Sequence, residues 1–333
     1  MFLQNNTINL YKQNDIMATV HIIKSVFFEK TVPTSIHEKK NSIEATQKRL
    51  ALQDALNLND LSRAKTAVVA YRPLLSSLIS SLEQNRRCHL TEQPMFDWGW
   101  GSGEYMSSCW RWEKLMVHAS GYDISMAKAM DTAIKTDFKG ASKEFHTAGE
   151  YVITIVEKIL PEWTWKENAA LHVTFPKFWN SKLNFIYAMK DLCTLQYAWS
   201  GAKGITDKNA LKLLKRIEYL STKSLSVWSN EDNTALMNWA RASRALVMAR
   251  KFKEADEYGK AIYLVKSWEP VLEKLVNNSH LNTIMEELVT QLRNITSDLD
   301  DWITSNNSVH FKVEETVELE PIDEENLEIK YTI

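Results

Sequence analysis

The stretch LSRAKTAVVAYRPLLSSLISSLE, from Leu61 to Glu83, decides the fold class. Its apolar positions Val68, Val69, Leu74, Leu75, Leu78, Ile79 and Leu82 recur every three or four residues, the period of a helix with one buried side. Pro73 lies within the run and predicts a kink or a break. On the N-terminal side, Ser42 to Leu58 carries the same period through Ile43, Leu50, Leu52 and Leu56. Before it, Ala18 to Glu29 (ATVHIIKSVFFE) is rich in β-branched and aromatic residues and predicts a short, partly buried strand. Met1 to Asp15 is rich in Asn and Gln and lacks the apolar segment of a secretory signal. Residues 1–16 are therefore expected to be a disordered extension or an upstream start, with Met17 opening the folded body.

On the C-terminal side, Pro94 to Gly103 (PMFDWGWGSG) predicts a strand and turn inserted among helices. Phe96 and Trp98 stand two apart, on one face of that strand, and that face is expected to be buried. Helices are expected at Tyr105–Ser120, Ser125–Thr136 and Phe138–Leu160, the last stopped by Pro161. A linker from Glu162 to Lys177 carries Trp163, Trp165 and Phe175. Long helical patterns resume at Trp179–Ala202, Asn209–Ser229, Asp232–Arg250, Phe252–Leu275 and Leu281–Asn306. Short polar connections make neighbours antiparallel. The pair around Lys251 sets Ala240, Ala245 and Ala249 against Phe252, Ala255, Tyr258 and Ala261, a tetratricopeptide-like arrangement, though no strict repeat is present. The tail from Glu314 is acidic, contains Pro321 and is expected to be extended or disordered.

Composition supports this mainly α reading. The chain has 333 residues, 44% of them hydrophobic and 25% charged, and only nine are glycine. That is under half the usual share of roughly 7%, and sheets and phosphate loops both consume glycine. The length admits one or two domains, since helical arrays extend as one body. A formal net charge of −2 encodes no general attraction to nucleic acid or anionic lipid. Cys88, Cys109 and Cys193 are odd in number and widely spaced, which reads as reduced thiols of a cytoplasmic protein. No window reaches the eighteen or so apolar residues of a membrane span.

Each candidate chemistry has a plainer alternative. Gly99, Gly101 and Gly103 are followed by no Gly-Lys-Ser/Thr and form no G-x-G-x-x-G, and Ser102 is not in a G-x-S-x-G elbow. A structural turn is expected. None of the eight histidines forms H-x-x-x-H, and adjacent Cys88 and His89 would point apart on a helix. The twelve tryptophans lack the basic groove that base stacking requires and read as core filling, with Trp199 a possible exception. Glu286 with Glu287, Asp298 with Asp300 and Asp301, and Glu314 with Glu315 read as solvated faces. No catalytic residue, metal site, cofactor or small-molecule substrate emerges, and the chain is expected not to be an enzyme.

The order of motifs resembles the Bro-domain family, which includes Alix, Brox and rhophilin-like proteins. Ala70, Tyr71, Leu74 and Leu75, with the exit Ser80-Ser81-Leu82-Glu83, are followed at family spacing by Phe96-Asp97-Trp98. Phe145, Ala148, Gly149, Tyr151, Ile155, Glu157 and Leu160 match an Ala-Gly-aromatic helix. Gln196 to Trp228 is similar to the partner-binding stretch, and FKVEETVELEPI (Phe311 to Ile322) resembles a closing strand. The likeness spans residues 17–322, leaving 323–333 as an acidic tail. Its layout is nearest to Brox, because almost nothing lies beyond the domain, although Tyr331-Thr332-Ile333 carries no prenylation motif.

The resemblance implies a single elongated, banana-shaped helical domain with a tetratricopeptide-like core and a small β insert. It also implies an adaptor whose concave hydrophobic patch binds the C-terminal amphipathic helix of an ESCRT-III subunit in endosomal sorting or membrane scission. No nucleic acid is implied, and membranes are reached only through the partner. Carried across, the patch falls on Trp199, Leu213, Leu214 and Ile217, with Ile155 a further member. Spacing alone reads Leu213, Leu214 and Ile217 as core, whereas the resemblance implies that at least one is exposed. The second reading is a helical scaffold or structural subunit that keeps the shape and binds a different peptide or assembly.

Overall fold

The computed structural model describes residues 20–30, 36–84, 94–100, 103–163, 172–200, 204–227, 231–275, 284, 290, 299–310, 313–319, 321–322 and 327. They fall into two compact units, one within Met1–Met130 and Thr147–Asn180, the other within Asp131–His146 and Ser181–Ile333.

The first unit joins a small sheet to long helices. Strands β1 (Val20–Ile22), β2 (Phe96–Trp100) and β3 (Gly103–Ser107) form an antiparallel sheet in that order. Phe96 and Trp98 are both 0% exposed, as their spacing of two predicts. Gly99 pairs with His21 across the β1–β2 ladder, and a Cβ there would lie 1.9 Å from the His21 ring. Trp100 lies opposite Gly103 and Gly99 opposite Glu104, so these two glycines are strand residues of the β2–β3 pair, while Gly101 lies outside the described residues.

Helix α1 (Ile36–Asn57) leads through Asn59, at φ 55°, into α2 (Leu61–Gln84). Asp60 caps α2 by accepting the Arg63 backbone N–H at 2.9 Å. Of the kink or break expected at Pro73, no break occurs, and α2 runs through it. Proline removes the donor for the Val69 carbonyl, and Val69 is exposed, where such a loss costs least.

Glu113, in α3 (Trp110–Ile134), is fully buried and binds three distant residues. Arg49 of α1 donates from Nε at 2.8 Å and Nη2 at 3.4 Å, Tyr71 of α2 donates its hydroxyl at 2.9 Å, and Trp98 of β2 donates its indole N–H. A carboxylate in the core is tolerable only when charge and hydrogen bonds replace its water. Phe28 packs between Tyr71, Phe96 and Trp110 at centroid distances of 6.3, 6.2 and 5.4 Å.

Helix α3 merges the two helices expected at Tyr105–Ser120 and Ser125–Thr136. Gly121 does not break it; a Cβ there would lie 2.3 Å from the Tyr151 ring, so the glycine admits that ring. Tyr151 belongs to α4 (Phe138–Thr154), which continues through a π turn (Ile155–Ile159) into the short α5 (Leu160–Glu162). His118 is buried beside Tyr151 and donates from Nδ1 to the Lys114 carbonyl at 2.8 Å. Burial, with the nearby Arg72 charge, pushes its pKa down to about 3. The unfolded chain takes up that proton near pH 6.5 and the folded one only near 3, so His118 lowers stability as pH falls through this window and has no effect above it. We expect a slope of about 1.4 kcal/mol per pH unit from this group. Chemical denaturation of His118→Gln at stepped pH checks this: an unchanged slope would refute the assignment.

The second unit is helical. Asp137 caps the start of α4 by accepting the Gly140 N–H at 2.9 Å. Helices α6 (Pro176–Ser200, in this unit from Ser181 onward), α7 (Asp207–Leu225), α8 (Glu231–Glu254) and α9 (Tyr258–Leu275) follow in sequence, with α7 packed on α8 and α8 on α9. The α8–α9 break falls at Asp256 (φ 60°) rather than at Lys251. Of the helix expected at Leu281–Asn306, Ile284, Thr290, α10 (Leu299–Ser305) and Asn306 are described; the rest lies outside the described residues.

The closing strand expected at Phe311–Ile322 is corrected. Residues 313–319 form neither strand nor helix, and no strand lies beside them among the described residues. They run along α9, held by the pairs Lys266–Glu314 and Lys260–Glu315. The backbone approaches so closely that a Cβ on Gly259 would lie 2.1 Å from the Val313 carbonyl oxygen.

Candidate docking face

The buried side of α7 is built from Ala210, Leu214, Ile217, Ser221 and Ser224, spaced four, three, four and three apart. Its start is fixed by Thr206, whose hydroxyl accepts the Asn209 N–H at 3.4 Å, and by Asp207 in the first turn, which pairs with Arg250 of α8 at 2.7 Å. Polar contacts hold the helix on both flanks. Toward α6, Arg216 pairs with buried Asp191, and Ser181 exchanges hydrogen bonds with Ser224 at 3.0 Å. Burial pushes the Asp191 carboxyl up from its ordinary range, while Arg216 opposes that shift. Toward α8, Glu218 binds Arg241 at 2.7 Å and buried Arg244. Asn233 of α8 also donates to the Ser224 hydroxyl at 2.9 Å.

The expected contact residues separate by burial. Leu214, Ile217 and Ile155 are each 0% exposed, so they belong to the core and present no open face. The physical reason for Ile217 is its position, four residues after Leu213 but turned into the packed side of α7 with Leu214 and Ser221. Ile155 lies in the π turn of the first unit. Leu213 and Trp199 are half-buried and keep surface. Trp199, in the last turn of α6, sets its ring edge-on against fully buried Trp239 of α8, with centroids 6.4 Å apart and planes at 70°. Of the five expected contact residues, Trp199 and Leu213 are those that keep surface.

Sequence reasoning did not find Trp239, because one tryptophan among twelve carries no signal of its partner. Gln196, one turn before Trp199, is likewise a polar residue whose burial no local signal predicts. Cys193 on the same helix is buried, which pushes its thiol up to about 12 and removes it as a nucleophile. Cys88 and His89 lie outside the described residues. Among the described residues there is no group of three His, Cys, Asp or Glu side chains placed to hold a metal, and no helix is long and apolar enough to cross a membrane.

No family model matches the sequence, and no curated protein matches it. Seven solved chains do match in fold, and two of them show what is shared. One is ALIX in complex with the SIVmac239 PYKEVTEDL late domain, at TM-score 0.69 and 14% identity, covering 92% of this chain and 47% of that one. The chain thus spans about half the length of that ALIX structure. The other is a Bro1 domain whose structure is described as a basis for endosomal targeting, at TM-score 0.66 and 12% identity, covering 90% of this chain and 87% of that one. At these identities the shared property is the fold, which is that of the Bro1 domain. The match does not single out Brox among the family.

Proposed function

We propose that this chain is a non-enzymatic adaptor of endosomal sorting or membrane scission. On this reading the face around Trp199 and Leu213 receives the C-terminal amphipathic helix of an ESCRT-III subunit. The observation that carries the reading is the Bro1 fold over nine-tenths of the chain, combined with surface kept at Trp199 and Leu213. The physics favours such a face. An amphipathic helix offers anchors at i, i+3 and i+4, and a receptor helix already fixed by ion pairs on both flanks costs little to order. The protein is cytoplasmic on this reading, and it reaches membranes through its partner.

The burial of Leu214, Ile217 and Ile155 favours a second reading, a scaffold that keeps the shape and binds a different peptide or assembly, because it leaves less apolar surface for an ESCRT-III helix. Titrating the protein with synthetic C-terminal helices from each ESCRT-III subunit separates the two: saturable binding of at least one supports the first, and none binding supports the second. Leu213→Asp is expected to keep the melting temperature within a few degrees and to lose at least ~2 kcal/mol of binding, about thirtyfold. Ile217→Asp buries an unpaired carboxylate and is expected to unfold the unit. A Leu213→Asp melt lowered as far as that of Ile217→Asp would place Leu213 in the core and defeat the site.

A further inference from the structure

Gln196 is 1% exposed, and among the described residues neither its carbonyl oxygen nor its amide nitrogen finds a hydrogen-bond partner. Trp239, also fully buried, leaves its indole N–H in the same condition. A buried amide without partners is costly, and natural cores avoid it unless something else completes the bonds. Trp199 lies near each residue, by helix position or by ring contact. Gln196 is three residues before it on α6, hence on the same side of the helix one turn back, and the Trp239 ring meets the Trp199 ring edge-on. A half-exposed aromatic thus neighbours two residues with buried, unsatisfied polar groups, which together offer three N–H donors and one carbonyl acceptor.

Resting on the reading of a docked helix, we infer that the ground beneath Trp199 is a polar receptor for a neutral carboxamide, an Asn or Gln side chain of that helix. Trp199 turns aside on docking, and the incoming amide pairs with Gln196 in both directions, its oxygen also within the range of the Trp239 indole. The chemistry favours an amide over the alternatives. A carboxylate or ammonium would have to be desolvated beside two unsatisfied groups that carry no charge. A hydroxyl pairs with one amide atom at a time, whereas a carboxamide matches donor to acceptor twice. The rest of the docked helix lies on apolar surface around Leu213, so this amide would fix its register, much as a single buried polar residue does between coiled helices.

The test uses the full chain, the ESCRT-III helix peptides and two kinds of substitution. On the protein, Gln196→Met keeps length and removes both hydrogen-bonding atoms. We expect a melting temperature equal to or above that of the parent, because an unsatisfied buried amide is removed, together with at least tenfold weaker binding of the peptide that binds the parent. On the peptide, each Asn and Gln is replaced in turn by Leu. One replacement is expected to weaken binding to the parent by a similar factor and to have little further effect on Gln196→Met, a coupled pair. Binding to Gln196→Met within twofold of the parent overturns the inference while leaving the adaptor reading intact. Should Gln196→Met fail to fold, the peptide series on the parent still decides, since indifference to every amide replacement overturns it as well. If no ESCRT-III helix binds the parent protein, the adaptor reading falls and takes this inference with it.

Discussion

Replacing Glu113 by Ala is expected to cost the first unit roughly 3–5 kcal/mol, the range seen when one member of a buried ion pair is removed. The reason lies in what remains. Arg49 is fully buried, its guanidinium is held charged by Glu113 against the desolvation of burial, and it also donates to the Lys24 carbonyl at 2.8 Å. Without Glu113 it is a cation in the core, and Tyr71 and Trp98 each lose an acceptor. The double variant Glu113→Leu with Arg49→Leu removes both charges and is expected to recover a large part of the loss, because apolar side chains substitute for buried ion pairs at little cost. Urea denaturation of the three proteins measures this. A loss below about 1 kcal/mol for Glu113→Ala, within the range of an ordinary surface change, would show that Arg49 finds another partner.

Trp98→Ala is the second large effect, at roughly 3–5 kcal/mol for the cavity it leaves. Trp98 is 0% exposed, and the Arg49 guanidinium lies 5.7 Å from its ring centre. Trp98→Phe separates packing from hydrogen bonding. It retains most of the ring volume but withdraws a donor from the Glu113 carboxylate, a bond to a charged group worth roughly 1.5–3 kcal/mol. If both variants melt like the parent, β2 contributes nothing to the core.

Much of the fold could be read in the residues because the signals were local. Apolar residues three and four apart place α2 at its observed start, Leu61, and within a residue of its end, and the two-residue spacing of Phe96 and Trp98 gives the buried face of β2. The failures occur where distant residues decide. Nothing in the sequence near Gly121 says that Tyr151 will fill the space of its missing side chain, so one helix was read as two. Nothing near Phe311 says that a β-rich segment will find lysines on α9 in place of a neighbouring strand. The site shows the same division. Leu213 and Ile217 are four apart and share a face on any helix wheel, yet one keeps surface and the other has none, because the α6 and α8 flanks set the boundary between core and solvent. Trp199 could be singled out by likeness alone, and its seat on Trp239 could not.

Arg49, Tyr71, Trp98 and Glu113 are far apart along the chain, and this has a kinetic consequence. The carboxylate cannot leave water for any one partner at a gain, since a half-satisfied buried charge is worse than a hydrated one. Two long loops must therefore close before the first favourable bond is made, and such closure is slow relative to local helix formation. The cluster acts as a latch on the folded side of the barrier. Weakening it should leave the rate of folding almost unchanged and hasten unfolding, which a chevron plot of Glu113→Ala would reveal as a shift confined to the unfolding limb.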